Sequence, residues 1–362
     1  MKFGLVFALL GHIYVWWRTF RLLPFPLWGK CVAVALMVMA MLSLVWLFVR
    51  NFHGAFDFRF NSFLYAVGTS WLIVFLYLLI AYVVMDVAIL LHIMPARWGF
   101  DAARTSGIVF AVIACLLTYG YFHYQSKKRV ELNLTTEKPL EKPLKVVMIS
   151  DVHLGYHIGK KEFAKWVEII NSEHPDLILI AGDIVDMSLA PIRHQRLAEE
   201  FRQFHAPVYA CFGNHEHFSR IHEVKQFYAE AGIHLLNDSV TQTLGINLVG
   251  RDDRSVGHRA TLHSLMNKVD HSKFTILIDH QPFHLEQAES EQVDFQFSGH
   301  THEGQVWPIG LITGHMYEQD YGPLQRANTH YYISSGIGIW GGKFRIGTQS
   351  EYVVLTIKKA SP

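Results

Sequence analysis

Long apolar runs fill the first third of this 362-residue chain and constrain its fold more than any other feature. A helix that crosses a bilayer needs about 20 mostly apolar residues. Residues 31–49 meet that need without a charged side chain, and each of the other runs contains at most one acidic residue. We therefore predict a transmembrane helical domain over residues 1–128. Its four predicted helices span residues 3–17, 31–49, 63–94 and 107–124.

The first of these runs could instead be a cleaved signal peptide. Only Lys2 precedes it, and no small-x-small cleavage site follows, so a retained helix is the better prediction. Four helices would place both ends of the bundle on the same side of the membrane. Asp86 is either an intramembrane functional group or an acid solvated near an interface, and the length of its run favours the interface.

Charge divides the chain at the same place. Residues 1–128 contain 10 basic and 3 acidic side chains, whereas the remainder contains 22 basic and 28 acidic ones. This split indicates a membrane part and a water-soluble part, and the acidic balance of the soluble part argues against nucleic acid as a partner. The three cysteines, Cys31, Cys115 and Cys211, lack the spacing of a zinc finger or redox motif, so no disulfide framework is predicted.

The side of the membrane is set by the distribution of basic residues. The loops 18–30 and 95–106 carry five Lys or Arg residues, and the opposite side carries six, so the totals barely discriminate. The cluster Lys127-Lys128-Arg129 directly follows the last apolar run and favours a cytoplasmic C-terminal domain. In a bacterium, the chain would then be a multi-pass protein of the inner membrane.

The soluble domain is predicted over residues 129–362, after a polar linker. Short apolar runs such as KVVMIS, LILIAG and FTILID alternate with the helical patterns EFAKWVEIINS and EVKQFYAEAG. This alternation favours an α/β sandwich whose helices cover the sheet faces. The segment VELNLT alternates apolar and polar residues and is typical of an edge strand.

Polar residues with metal-ligating side chains follow five of these apolar runs. In open α/β sheets, ligands bind at the carboxyl ends of the strands, so five strand ends could bring these side chains together. Each cluster alone is weak in a chain with 22 histidines, but five clusters, each at the end of a strand, make coincidence improbable. The residues are Asp151 and His153, Asp183, Asn214 with His215 and Glu216, His280, and His300 with His302.

Mixed oxygen and nitrogen ligands suit Mn, Fe or Zn better than Ca. Two such ions can clamp the attacking and leaving oxygens of a phosphoryl displacement and generate hydroxide at neutral pH. Gly182, Gly213 and Gly299 each precede a candidate ligand, where a glycine allows a sharp turn and close backbone approach. The sequence therefore predicts two divalent metal ions at one edge of the sandwich.

The ordered pattern D-x-H, G-D, G-N-H-E, H and G-H-x-H resembles the calcineurin-like metallophosphoesterases. The blocks SDVHLG, AGD, GNHE, DHQP and SGHTH carry this resemblance, which spans roughly residues 130–358. The tail SSGIGIWGGKFRIG is also similar to a membrane-anchored branch, the transmembrane proteins with a metallophosphoesterase domain. The resemblance implies a two-sheet α/β sandwich that follows the four-helix transmembrane bundle.

The resemblance also implies a role for each matching residue. The first metal would bind Asp151, His153 and His302, the second would bind Asn214, His280 and His300, and Asp183 would bridge the two. His215 would contact the phosphate and assist the leaving oxygen, with Glu216 nearby as a second catalytic candidate. One departure is Glu303, which stands where the branch has glycine. Its carboxylate could bind a substrate group, repel a second phosphate, or point to solvent.

Three functions follow as hypotheses. The first is a membrane-embedded, dimetal phosphoesterase that cleaves a phosphoester or pyrophosphate bond, with a lipid-linked substrate because four helices exceed what tethering requires. The second is a membrane-anchored phosphodiesterase or nucleotidase for soluble substrates. The third is a metal-binding membrane sensor without catalysis. Membrane lipids are the partners that the apolar runs predict, and nothing in the sequence indicates an oligomer.

Overall fold

A computed structural model describes residues 2–49, 57–100 and 102–360. Contacts divide the chain into two units. The helical unit comprises Met1–His123 with Gly341–Phe344, and the C-terminal unit comprises Tyr124–Trp340 with Arg345–Pro362. The domain boundary predicted between residues 128 and 129 stays a prediction.

Four long helices build the helical unit, and three of them are long and apolar enough to cross a membrane. The three candidate spans are Leu27–Trp46, Phe58–Leu90 and Ala103–Gln125, which place the chain among membrane proteins. A short 3-10 turn, Ala96–Gly99, precedes the last helix. The helices are α1 (Lys2–Leu22), α2 (Leu27–Val49), α3 (Phe58–Leu90) and α4 (Ala103–Gln125).

The predicted count of four spans is therefore corrected to three candidates among the described residues. The predicted run 3–17 is helical as part of α1, but α1 also contains His12, Arg18 and Arg21, which lower its mean hydropathy. At about 1.5 Å per residue, the 33 residues of α3 reach roughly 50 Å, more than a bilayer core requires. Polar residues near the ends of α3 can thus lie outside the hydrocarbon.

Asp86 lies near the carboxyl end of α3 and has partners on α1. Arg18 Nη2 lies 2.7 Å from Asp86 Oδ1, and the Tyr14 hydroxyl donates to Asp86 Oδ2 at 2.6 Å. Arg18 Nη1 also donates to the carbonyl oxygen of Gly99 at 3.0 Å. The Arg18 side chain is 2% exposed and that of Asp86 is 38% exposed, so the acid is the partly exposed partner of a buried arginine.

Twelve strands form two six-stranded sheets in the described residues of the C-terminal unit. They are β1 (Lys128–Thr136), β2 (Leu144–Ile149), β3 (Leu177–Ala181), β4 (Val208–Cys211), β5 (Ile233–Leu235), β6 (Ser239–Thr243), β7 (Ile246–Gly250), β8 (Thr275–Ile278), β9 (Phe295–Ser298), β10 (Gly322–Arg326), β11 (Thr329–Ile333) and β12 (Glu351–Lys359). The first sheet has the order β1-β12-β2-β3-β4-β5, and the second has the order β10-β11-β9-β8-β7-β6. The predicted edge strand is β1, and β12 lies between β1 and β2, parallel to the first and antiparallel to the second.

An apolar layer joins the two sheets, and helices cover their outer faces. Met148 and Leu179 of the first sheet pack with Ile278 and Phe297 of the second in one buried cluster. This arrangement confirms the predicted α/β sandwich. The helices of this unit are α5 (Lys160–Ser172), α6 (Ala190–His194), α7 (Leu197–Phe201), α8 (Asn214–Phe218), α9 (Ile221–Ala231), α10 (Leu262–Met266), α11 (Glu286–Ser290) and α12 (Gly310–Met316).

Helix α5 shows why the sequence folds this way. Phe163, Trp166, Val167 and Ile170 recur at helical spacing, and all four are buried against the first sheet. Burial of each such side chain stabilises the fold by about 1.5–3 kcal/mol. The helix ends before Pro175, which disfavours helical backbone at the preceding residue.

The fold brings the five predicted strand ends to one edge. Strands β2, β3 and β4 are mutually parallel, and so are β8 and β9. Parallel neighbours have their carboxyl ends at the same edge of a sheet. The nine predicted site residues all lie just after these strands, in the connecting loops or at the start of the short helical turns that follow them.

Candidate metal centre

The first ligand cluster contains Asp151, His153 and His302, whose ligand atoms lie within 4.8 Å of one another. His302 Nε2 is 3.4 Å from Asp151 Oδ1 and 3.1 Å from His153 Nε2. Two imidazole nitrogens that approach this closely repel each other unless a proton or a cation lies between their lone pairs. The three side chains thus have the arrangement and the chemistry of a divalent metal site.

The second cluster contains Asp183, His280 and His300. His280 Nδ1 and the Ala181 carbonyl oxygen are 2.7 Å apart, so this nitrogen donates and leaves Nε2 directed toward Asp183. His280 Nε2 is buried, makes no hydrogen bond and lies 3.2 Å from Asp183 Oδ2. A histidine whose other ring nitrogen donates to a carbonyl is oriented as metal-ligating histidines are.

Asn214 offers another buried atom without a hydrogen-bond partner, its side-chain oxygen Oδ1. An orphaned buried amide oxygen costs free energy unless a ligand or water satisfies it. Asn214 begins α8, directly after the loop that follows β4. Its amide oxygen therefore fits the role of a metal ligand predicted for this residue.

Asp183 lies between the two clusters. Its Oδ2 atom is 3.2 Å from His280 Nε2 of the second cluster and 3.8 Å from His153 Nε2 of the first. Its Oδ1 atom accepts a hydrogen bond from the backbone N–H of His215 at 2.9 Å. This position between histidines of both clusters suits the bridging role predicted for this carboxylate.

Unusual backbone conformation is concentrated at the predicted ligands. Non-glycine residues rarely adopt positive φ, and such conformations recur at functional sites where the surrounding structure enforces them. Five of the seven predicted metal ligands have it: Asp151 (φ 54°), His153 (49°), Asp183 (52°), His300 (72°) and His302 (50°).

Two of the predicted glycines are required by close approach to these carboxylates. A Cβ atom at Gly213 would overlap the Asp183 carboxylate, and one at Gly299 would overlap that of Asp151. Gly182 has φ +75°, and a Cβ there would lie 2.8 Å from His280 Nδ1. The ligand loops thus approach one another more closely than any side chain at these positions would allow.

Asp186 was not singled out in the sequence, and the structure places it beside two site histidines. Asp186 Oδ1 is 3.6 Å from His153 Nδ1 and 3.5 Å from His215 Nδ1, and the Asp186 carbonyl oxygen accepts a hydrogen bond from His215 Nδ1. Contact with Nδ1 leaves Nε2 of both rings directed away from Asp186. The signal for it was the second acid of the segment G-D-I-V-D after β3.

Glu216, the second predicted catalytic residue, lies at the base of two site loops. Its fully buried carboxylate accepts hydrogen bonds from the backbone N–H groups of Asp183 (3.0 Å), Val185 (2.9 Å) and Gly213 (2.7 Å). These contacts tie the β3 and β4 loops together. The geometry thus supports a positioning role for Glu216, and its catalytic assignment stays a prediction.

Arg345 is a second residue that the sequence analysis missed. Its fully buried guanidinium donates to the carbonyl oxygens of His302 (2.7 Å), Gly338 (3.1 Å) and Ser335. Burial lowers the pKa of Arg345 to about 10. The tail segment that contains Arg345 therefore holds the backbone of the loop that carries His302.

Electrostatics keep the two histidines of the last motif neutral. Burial, reinforced by His280, lowers the pKa of His300 to about 4, and burial with His153 lowers the pKa of His302. Neutral imidazole is the form that binds a metal. His215 behaves differently, because Asp183 and Asp186 outweigh the effect of burial and raise its pKa to about 9.

The family model for calcineurin-like phosphoesterases matches residues 144–304, which contain every residue of both clusters. The chain belongs to the calcineurin-like metallophosphoesterase family. That family uses a dinuclear divalent metal centre, and the residues present fit one: two clusters, a carboxylate between them, and buried ligand atoms without hydrogen bonds.

Relatives extend the likeness beyond the matched segment. An uncharacterized metallophosphoesterase of Helicobacter pylori (strain ATCC 700392 / 26695) is 30% identical over 246 residues, which cover 66% of each chain. The chain thus spans about two thirds of that relative's length. A Danio rerio protein named transmembrane protein with metallophosphoesterase domain is 26% identical over 394 residues, 97% of this chain and 87% of the relative. A solved archaeal phosphodiesterase aligns with TM-score 0.33 and 16% identity over 54% of this chain and 85% of that chain.

Proposed function

We propose that this protein hydrolyses a phosphoester or pyrophosphate bond at a dimetal centre. The observation that carries the proposal is the convergence of two ligand clusters on Asp183, which lies within 4 Å of a histidine from each. Asp151, His153 and His302 would hold one ion, Asn214, His280 and His300 the other, and Asp183 would bridge them. Mn, Fe or Zn suits this ligand set. When bound, the ions supply Lewis acidity and a hydroxide nucleophile at neutral pH.

The protein's own residues would complete the chemistry. His215 Nε2 lies 4.0 Å from Asp183 Oδ2, and the Asp186 carboxylate, 3.5 Å from Nδ1 of the same ring, supports a protonated imidazole. We assign His215 as the group that hydrogen-bonds the phosphate and protonates the leaving oxygen. Asp186 would fix the ring by its contacts at Nδ1, and Glu216 would fix the loops that position His215 and Asp183.

Metal content and hydrolysis of an aryl phosphodiester, measured together on the purified full chain, test this proposal. Asp183→Asn is expected to lower activity at least about a hundred-fold and to reduce bound metal. Loss of a metal ligand should cost more than the 10- to 100-fold that follows loss of a residue that only orients a ligand. Wild type should contain close to two metal ions per chain. A chelator should abolish its activity, and added Mn should restore it.

His215→Ala is the matched variant, because it removes a proposed catalytic group and spares the proposed ligands. It is expected to keep its metals and to lose about 100- to 10,000-fold in turnover. Wild type that stays metal-free and inactive after Mn is added would favour a membrane sensor without catalysis. Full turnover by His215→Ala would remove His215 from the mechanism.

We propose further that the substrate is lipid-linked. Exposed apolar side chains follow the His302 loop, at Trp307 before α12 and at Leu311, Ile312 and Met316 within it. Their exposed fractions, from 55% to 61%, are costly in water and suit contact with acyl or prenyl chains. The candidate membrane spans keep this chain at a bilayer, where such a substrate would reside.

The double variant Leu311→Ser, Ile312→Ser tests the lipid contact. It is expected to raise KM about ten-fold for an acylated phosphodiester in mixed micelles, because two apolar contacts are lost, and to leave KM for a water-soluble aryl phosphodiester unchanged. Leu244→Ser is the control, since Leu244 is 46% exposed in the turn that precedes β7, at the strand end away from the site. An unchanged KM for the acylated phosphodiester in the double variant would favour the alternative, a membrane-anchored phosphodiesterase or nucleotidase for soluble substrates.

We propose a cytoplasmic location for the C-terminal unit. The cluster Lys127-Lys128-Arg129 after α4 supports it through the positive-inside rule. Protease digestion of sealed vesicles of known sidedness tests the orientation. Cleavage of this unit only in vesicles that expose the cytoplasmic face is the expected result, and cleavage only from the opposite face would reverse the assignment.

A further inference from the structure

Three arginines follow β7, and only two of them are paired with a carboxylate. Arg251 Nη1 lies 3.1 Å from Asp279 Oδ2, and Arg259 Nη1 lies 2.9 Å from Asp279 Oδ1. Arg254, between them in the chain, is exposed. Over the described residues, its guanidinium has neither a carboxylate partner nor a hydrogen bond. The guanidinium instead stacks on an aromatic ring.

That ring begins an aromatic row that leads to the metal centre. Arg254 Cζ lies 3.8 Å from the Phe283 ring centroid, and the Phe283 and Tyr317 centroids are 4.6 Å apart. The Tyr317 ring is in turn 6.3 Å from that of His300, a proposed metal ligand. Phe283 and Tyr317 are both half-buried, so each still presents surface to a ligand.

The loop that carries Arg254 is anchored by its neighbours. The buried Asp253 accepts a hydrogen bond from the backbone N–H of Ser255 at 2.8 Å and two from Gln281 Nε2 at 2.9 Å. Gln281 follows the proposed ligand His280 directly. The base of the arginine loop is therefore tied to the loop of a metal ligand, which holds Arg254 at a defined place beside the site.

We propose that Arg254, supported by Phe283 and Tyr317, binds a second anionic group of the phosphate type on the substrate. A guanidinium that stacks on a ring through its face keeps its N–H edge free to bind a phosphate with two hydrogen bonds. The stacking also limits the side-chain freedom that binding would otherwise remove. This inference rests on the proposed function, because the metal centre would hold the first phosphate. The substrate class is thus a phosphoester or pyrophosphate that carries a further phosphate group.

Binding of non-hydrolysable phosphonates to the metal-loaded full chain tests the inference by calorimetry. The probes are alkylene bisphosphonates with two, four or six methylene groups, each compared with the alkyl monophosphonate of the same length. Wild type is expected to bind the bisphosphonate of fitting length about ten-fold more tightly than its monophosphonate. Arg254→Gln should lose this gain and keep its affinity for the monophosphonate.

Arg202→Gln is the matched control, because Arg202 is also exposed but precedes β4, at the strand end away from Asn214. It should behave as wild type. A gain that persists in Arg254→Gln, a gain absent from wild type at every length, or an equal loss for both probe types in Arg254→Gln would each overturn the inference. Monophosphonate that fails to bind metal-loaded wild type would overturn the phosphate site as well. Phosphonate binding by a metal-loaded protein that does not hydrolyse the aryl phosphodiester would count against the proposed function alone.

Discussion

Two regions of this molecule treat buried polar atoms in opposite ways. In the helical unit, the buried Arg18 side chain lies against Asp86, which also accepts the Tyr14 hydroxyl. In the metal centre, by contrast, His280 Nε2 and Asn214 Oδ1 are buried without hydrogen bonds, and two imidazole nitrogens converge at 3.1 Å. Opposite charges in the first region stabilise each other, whereas acceptors in the second converge on one another.

This difference teaches what each region needs from outside the chain. An ion pair of opposite charges needs nothing further, apart from the desolvation that it has already overcome. A group of acceptors around a carboxylate is stable only with protons or metal cations between them, because lone pairs that face one another repel. The comparison therefore separates a structural polar contact from a binding site without reference to the family.

The largest effect expected from this comparison is at Asp186, which orients two histidines but is not a proposed ligand. Asp186→Asn keeps the shape and removes the charge near Nδ1 of His153 and His215. We expect kcat for an aryl phosphodiester to fall about 10- to 100-fold with KM little changed, as for other residues that orient metal ligands.

Glu291→Gln is the matched control, because Glu291 contacts the exposed His263 at 3.0 Å, outside every cluster. It should retain full kcat. An Asp186→Asn protein with wild-type kcat would show that the carboxylate does not orient the site histidines.

An intermediate effect is expected at Asp86, the charged partner in the helical unit. Asp86→Asn leaves Arg18 buried without its counter-ion, which should destabilise the chain by about 1–2 kcal/mol. This is less than the full cost of a broken buried pair, because Asp86 is only partly buried and Arg18 keeps its hydrogen bond to the Gly99 carbonyl oxygen. Thermal unfolding in detergent, followed by circular dichroism, measures the change.

The double variant Arg18→Met, Asp86→Leu removes both charges and should recover most of this stability. Turnover by folded protein should stay within about two-fold of wild type in both variants. A double variant less stable than Asp86→Asn would mean that the pair is needed as an ion pair.

The smallest effect is expected at Glu303, the residue that departs from the branch pattern. Burial raises its pKa to about 7, and the charged groups that modify this shift are Arg345, Glu351, Asp320 and Lys128, none of them a proposed ligand. Glu303→Gln should therefore change KM for an aryl phosphodiester by less than about two-fold. A change above ten-fold would instead place this carboxylate on the substrate.

The sequence predicts those parts of the fold and site that local pattern determines. Short apolar runs that end at a polar loop identify β2, β3, β4, β8 and β9, and the residues after them identify the loops that form both clusters. The assignment of metals to these residues stays a prediction. Local pattern predicts one membrane span too many, at the first helix. A short apolar run cannot show that Arg18 of the same helix pairs with Asp86, 68 residues further on.

Three residues show why the rest could not be predicted. Arg345 supports His302 from 43 residues away, and no local pattern encodes such a contact. Asp186 acts through the far side of two rings that only the fold brings together. Glu216 follows His215, but successive helical residues point about 100° apart, so the neighbour of a site residue faces the interior instead.

The position of β12 has a consequence for synthesis of the chain. Strand β2, which leads into Asp151, has β12 on one side, and β12 is the last strand of the sandwich. A ribosome adds roughly 5–20 residues per second, so more than 200 residues separate the emergence of β2 from that of its neighbour by about 10–40 s. Throughout that interval, one edge of β2 has no strand to pair with. The nascent sheet can then pair with other chains beside Asp151, the first proposed metal ligand in the sequence.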